Sequence, residues 1–350
     1  MSITTYYRPG VYSEYDLSGV VYGGNRGGLV GLAAVNTAAE AGTMTLVTGY
    51  EQAVRVFGSE GEMAKLASLA LHNGAGGVVC APVKDRDSYE EAFALLNARE
   101  DITVVICDST SLTVQQKLRE SVEQAGTMRR ERVAVVGVTK EELMETMTLR
   151  AEGLNSERMV LVGPSGVNES GDAISGTGLA ACVAGVLAGE TDPAIPLGGA
   201  ELKGVSGLSQ RLTDAEIEQL IQRGVSPLEQ LGGRIVVVRG VTTRTTTDGV
   251  RDESWQDLCT VRVIDTVIPG IRNALHTKFR RAKNTPRGRG AIRAQVVLEL
   301  ENFLKREIIT AYDGVTVTAD ETDPTRALVD FSFTVAHGLN QVWLSAHITV

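Results

Sequence analysis

Residues 102–138 read ITVVICDSTSLTVQQKLRESVEQAGTMRRERVAVVGV, and this stretch decides the fold class. An apolar run, ITVVIC, leads through a charged segment to a second apolar run, VAVVG. A run with no polar face reads as a strand covered on both sides. VQQKLRESVEQAG, between them, spaces its apolar residues at three and four and reads as a helix. Strand, helix and strand in that order make a βαβ unit, the crossover that parallel pairing requires.

The unit repeats in both directions. GGVVCAPV (76–83) reads as a buried strand opened by glycines, followed by a helix over 88–99. Downstream come a helix over 139–155, a strand at 158–166 and a helix over 177–189. Upstream, 29–35 and 43–49 read as strands and 63–75 as a helix. The expected class is α/β, with a mainly parallel sheet covered on both faces.

Beyond 190 the character changes. TDPAIPLGGAELKGVSGLSQ (191–210) reads as a long ordered loop, and Thr213 with Glu216 has capping-box spacing for the helix that follows. GRIVVVRGVTT (233–243) reads as a strand. Val261, Ile264, Ile268, Ile271, Leu275 and Phe279 lie on one helical face, which Pro269 should kink or restart. A second helix is expected over about 290–309. AYDGVTV (311–317) carries an Asp-Gly turn signal, and LVDFSFTV (328–335) and VWLSAHITV (342–350) alternate as strands do. The expected organisation is an extended arm over 1–20, an α/β region over 21–100 and a central α/β domain over 101–232. A C-terminal α+β domain over 233–341 and a strand arm over 342–350 complete it.

Composition excludes several classes. At 350 residues with 43% hydrophobic and 22% charged residues the chain reads as globular, and no apolar run approaches a membrane span. Its four cysteines have no short spacing, read as buried reduced thiols and suggest a reducing cytoplasm. The four histidines form no metal-binding pair. GPSGVNESGD (163–172) lacks the Lys-Ser/Thr of a phosphate loop, and GGNRGG (23–28) precedes a strand instead of following one. GVSGL (204–208) is not a nucleophile elbow, and Asp252-Glu253 reads as a solvated turn. No catalytic, cofactor or metal residues can be nominated together.

Three features want partners. Net charge is −9, yet 266–298 holds eight Arg or Lys and no acid, leaving −17 on the rest. Arg272, Lys278, Arg280, Arg281, Lys283, Arg287 and Arg289 lie in that stretch. It reads as a solvated loop, a nucleic-acid contact or, with Phe279 its one aromatic to stack a base, a contact to an acidic protein surface. TTRTTTDG (242–249) reads as a plain hairpin or as part of an interface anchored by Trp255. Finally, both ends are strand-like. YYRPGVY (6–12) sets Tyr6, Tyr7, Val11 and Tyr12 around the bend Pro9-Gly10, and the C-terminus ends on Val342, Leu344, Ile348 and Val350. Such ends pair within the chain or complete a neighbour's sheet.

RPGVY at the start, the block 204–246 and the block 252–275 with Arg262 and Asp265 as R-x-x-D resemble contractile phage tail sheath proteins. The resemblance implies stacked hexameric rings around an inner tail tube, which shorten to drive the tube through a cell envelope. It implies that both terminal arms complete an antiparallel sheet in neighbouring subunits, and that basic residues of a C-terminal helix touch the tube. It also implies baseplate and tail terminator partners, assembly in the bacterial host cytoplasm and a place in a virion or phage-tail-like particle. Nucleotide, cofactor, small-molecule substrate and direct nucleic-acid binding are not implied. At 350 residues the chain is short for that family, which implies that outward insertion domains are lacking. The rival readings are a cytosolic α/β enzyme with an unrecognised site and a nucleic-acid-binding module through 278–293.

Overall fold

The structure, a computed structural model, describes residues 27–59, 61–86, 88–168 and 170–347. The described residues begin with β1 (Leu29–Val35), β2 (Thr45–Val47), α1 (Tyr50–Phe57), α2 (Glu62–His72), β3 (Gly77–Val83) and α3 (Tyr89–Asn97). It continues through β4 (Ile102–Cys107), α4 (Leu112–Thr127), β5 (Val133–Gly137), α5 (Met144–Leu154) and β6 (Met159–Gly163). The short strands β7 (Gly166–Val167) and β8 (Ala173–Ile174), helix α6 (Gly176–Gly189) and β9 (Gly207–Leu208) follow. Then come α7 (Asp214–Gln222), β10 (Val225–Leu231), β11 (Arg234–Val237), β12 (Thr246–Thr247) and β13 (Val250–Arg251). Two long helices, α8 (Leu258–Phe279) and α9 (Pro286–Lys305), precede β14 (Ile309–Ala319) and β15 (Ala327–Val335).

Eight strands form one sheet in the order β11-β10-β6-β5-β4-β1-β3-β2. From β3 to β10 every pairing is parallel, and β2 and β11 are antiparallel edges. The sheet therefore spans the expected boundary at 100/101. The uninterrupted apolar strands follow from two-sided burial. Val30, Leu32, Val104, Ile106, Val133 and Val135 share one core with α2 and α6. Ala33, Val105, Ala134 and Leu161 point the other way, against α3, α4 and α5. Helix α6 is buried along nearly its whole length. It approaches closely because glycines meet it: a Cβ on Gly137 would lie 1.9 Å from the Gly176 carbonyl oxygen.

Arginines close the helix C-termini, where unpaired carbonyls and the helix dipole favour a cation. Arg132, 1% exposed, donates to the Leu96 and Arg99 carbonyls at the end of α3 and just beyond it. Arg119 does the same for Gly153 and Leu154 of α5. The capping box read at Thr213 and Glu216 is present on α7.

A separate core of Val263, Val267, Ile271, Val296, Leu300 and Phe303 joins α8 and α9, with Val329, Phe331, Phe333 and Val335 of β15 packed against it. Strands β14 and β15 form a two-stranded antiparallel sheet. The alternation read in 328–335 holds, with Leu328, Asp330, Ser332 and Thr334 exposed.

The structure corrects several expectations. Of the two outcomes read at Pro269, the restart does not occur: helix α8 continues through it, with Val267 and Ile271 buried on either side. Asp313-Gly314 makes no hairpin turn but a register irregularity inside β14, because residues on both sides pair with the same strand, β15. Helix α9 starts at Pro286, capped by the Thr285 hydroxyl, and gives way to strand at Ile309. Strand β10 has no clear signature in the sequence, because Pro227 and Glu229 conceal it. Residues 342–347 form no strand, since a strand pattern without a ladder partner leaves its backbone groups unpaired.

Candidate assembly surfaces

The basic stretch is the tip of a helical hairpin. Helix α8 ends at Phe279, 280–285 turn, and α9 begins at Pro286. Lys278, Arg280, Arg281, Lys283 and Arg287 are exposed there, and Arg289 is half-buried. Lys278 donates to Gln295 Oε1 at 2.5 Å and Arg289 to Asn284 Oδ1 at 3.0 Å. Among the described residues Arg280, Arg281, Lys283 and Arg287 form no ion pair. Asn284 ties the tip to the β14–β15 turn by donating to the Pro324 and Arg326 carbonyls. Arg272 stands apart from the tip: it pairs with Glu131 at 2.7 Å.

The C-terminal surface is apolar. Val342, Trp343 and Leu344 are 79%, 91% and 92% exposed, beyond any amount a folded core explains. Tyr6, Tyr7, Pro9, Gly10, Val11, Tyr12, Ile348 and Val350 lie outside the described residues.

The threonine run is largely internal. Thr242 and Thr243 are fully buried, and the Thr243 hydroxyl exchanges hydrogen bonds with the Ser156 backbone at 3.0 and 3.1 Å. Beyond it, β12 and β13 form the hairpin that Asp-Gly predicts, with positive φ at Asp248 and Gly249. Trp255 packs against the sheet core.

The R-x-x-D pair joins α8 to the sheet, which sequence spacing alone could not reveal. Arg262 donates to the Glu190 carbonyl at 2.9 Å, and Asp265 pairs with Arg158. Burial pushes the Asp265 carboxyl above its ordinary range, against the pull of Arg158. Partial burial acts the same way on Glu131, but Arg272, a backbone hydrogen bond and the charge of Arg158 together outweigh it and hold that carboxyl below its usual range.

All four cysteines are buried and free. Burial pushes the Cys107 and Cys182 thiols up to about 12. Among the described residues no group of three or more His, Cys, Asp or Glu is placed to hold a metal, and no helix is long and apolar enough to cross a membrane.

The fold and its surfaces define an α/β protein whose exposed charged hairpin and apolar tail lie at its periphery. Comparison gives the family. Residues 85–243 match the phage tail sheath protein central domain, and 250–349 match the phage tail sheath C-terminal domain. A chain of the anti-feeding prophage baseplate has the same fold at TM-score 0.75 and 17% identity, over 99% of this chain and 100% of that one. The contracted PVC sheath of an extracellular contractile injection system gives 0.73 at 14% identity, over 100% and 99%. A sheath tail protein of Desulfitobacterium hafniense gives 0.71 at 13% identity, over 93% and 100%. No curated protein sequence matches the chain. The chain belongs to the phage tail sheath family and is a structural sheath subunit.

Proposed function

We propose that copies of this chain stack as hexameric rings around an inner tail tube, dock on a baseplate and terminator, and shorten to drive the tube through a cell envelope. The observation that carries the reading is the exposed Val342-Trp343-Leu344 segment on a chain whose β14–β15 sheet has two strands among the described residues. Packing on α8 and α9 supports this sheet, but its edges still present unpaired backbone groups, and strand addition from neighbours satisfies them. Similar chains occur in a six-fold symmetrised baseplate and in contracted sheaths, which supports ring assembly and a place in a tail or phage-tail-like particle. Assembly takes place in the host cytoplasm before the particle is complete.

The role is mechanical and not enzymatic. In open parallel sheets, ligands bind past the C-terminal strand ends where strand order reverses. Here Asp108, directly after β4, accepts from the Tyr89 hydroxyl at 2.5 Å and from the Val35 amide at the end of β1 at 2.9 Å, which supports a structural use of that carboxylate. Sedimentation of the purified full chain tests assembly: very large, length-dispersed particles are expected, and a stable monomer would overturn the reading.

A further inference from the structure

Three polar contacts along one stripe of α8 fasten it to the N-terminal edge of the parallel sheet. Arg262 donates to the Leu187 and Glu190 carbonyls, at 3.3 and 2.9 Å, closing the C-terminus of α6. One turn later Asp265 accepts from Arg158, which directly precedes β6. Two turns beyond, Arg272 donates to both Glu131 oxygens, at 2.7 and 3.2 Å, two residues before β5. Val261 packs into the sheet core beside them, while Val263, Val267 and Ile271 pack against α9, and such apolar contacts supply burial without direction. Charge-assisted hydrogen bonds supply the direction, since each holds only over a narrow range of distance and angle.

We propose that Arg262, Asp265 and Arg272 are positioning residues that fix the pitch of the α8–α9 hairpin on the α/β body. Resting on the sheath reading, they thereby set where the basic tip meets an acidic tube. Leverage makes the setting matter. From Asp265 to Phe279 the helix extends about 21 Å, so a tilt of about 10° at the clamp moves the tip by about 4 Å, more than a hydrogen-bond length. The partners come from three separate segments, so the clamp reports the position of α6, β5 and β6 together. Because α8 is one continuous helix from Leu258 to Phe279, running through Pro269, a shift of the body is passed along it to the tip.

The test uses the full chain carrying Glu131→Gln, and the swap Glu131→Arg with Arg272→Glu. Hydrogen exchange of the helical hairpin over 266–285 should run roughly fivefold faster in the single variant, while β4, β5 and β6 keep their protection. Helical twist of assembled tubes should change with it, and the swap should restore both readouts. Unchanged exchange and twist in the single variant, or a swap that restores neither, would overturn the clamp. Should the wild type form no tubes, the assembly reading fails, and hydrogen exchange on the unassembled chain still decides the clamp.

Discussion

Glu142 and Arg150 form a bidentate pair inside the protein, Nε to Oε1 at 2.9 Å and Nη2 to Oε2 at 2.8 Å, with the Glu142 side chain 2% exposed. The Thr139 amide and hydroxyl add donors to Oε2, each at 2.7 Å, and Arg150 also reaches the Thr110 carbonyl at 2.7 Å. The pair thus fills the space past the C-terminal ends of β4 and β5. Glu142→Gln leaves a buried guanidinium without its counter-charge, which costs about 3–5 kcal/mol. Urea unfolding followed by circular dichroism should show a lower midpoint at unchanged slope.

The same pair predicts a pH dependence. Burial alone would raise the Glu142 carboxyl, but Arg150 and Thr139 outweigh it and hold it below its ordinary range. A depressed folded-state value contributes stability above the unfolded value, about 4.3, that is lost as pH falls through the folded one. Unfolding free energy should fall on acidification below that point, more steeply for wild type than for Glu142→Gln. Equal slopes would contradict the assignment.

At the hairpin tip, Arg280→Glu, Arg281→Glu and Lys283→Glu together should leave the melting temperature nearly unchanged, because these side chains are exposed and form no ion pair among the described residues. Co-assembly with an acidic tube should weaken and lose its salt dependence, since surface charges are screened within about 8–10 Å. Sheath-only tubes should persist. Normal co-assembly of the triple variant would return the tip to a solvated loop.

The thiols give a simpler check. With Cys107 and Cys182 held near 12 by burial, thiolate is scarce at neutral pH. Iodoacetamide should label none of the four cysteines in the native chain and all four in urea. Rapid native labelling would show that the core opens.

The parallel sheet was legible because β3, β5 and β6 are apolar throughout, the pattern that burial on both faces imposes on a strand. Strand β10 was not, since Pro227 and Glu229 break the pattern and its pairing depends on β6, far back in the chain. The clamp was legible only as a motif: Arg158 and Asp265 are 107 residues apart and Glu131 and Arg272 are 141 apart, so their pairing is a product of the fold. Arg272 illustrates the cost of reading charge along the sequence, because it counts with the basic run yet pairs inside.

Removing residues 342–350 should leave the α/β body folded, since 342–347 add nothing to its core. Tube formation should be lost with the strand that neighbours would share. Long tubes from the truncated chain would sink strand exchange through this arm.

Helical reconstruction by electron cryomicroscopy of the assembled full chain tests the central claim most directly. The prediction is a tube in which 342–347 of one subunit runs along the β14–β15 sheet of a neighbour, hydrogen-bonded as an added strand. Discrete small oligomers, or tubes in which 342–347 pairs with its own subunit's sheet, would contradict it.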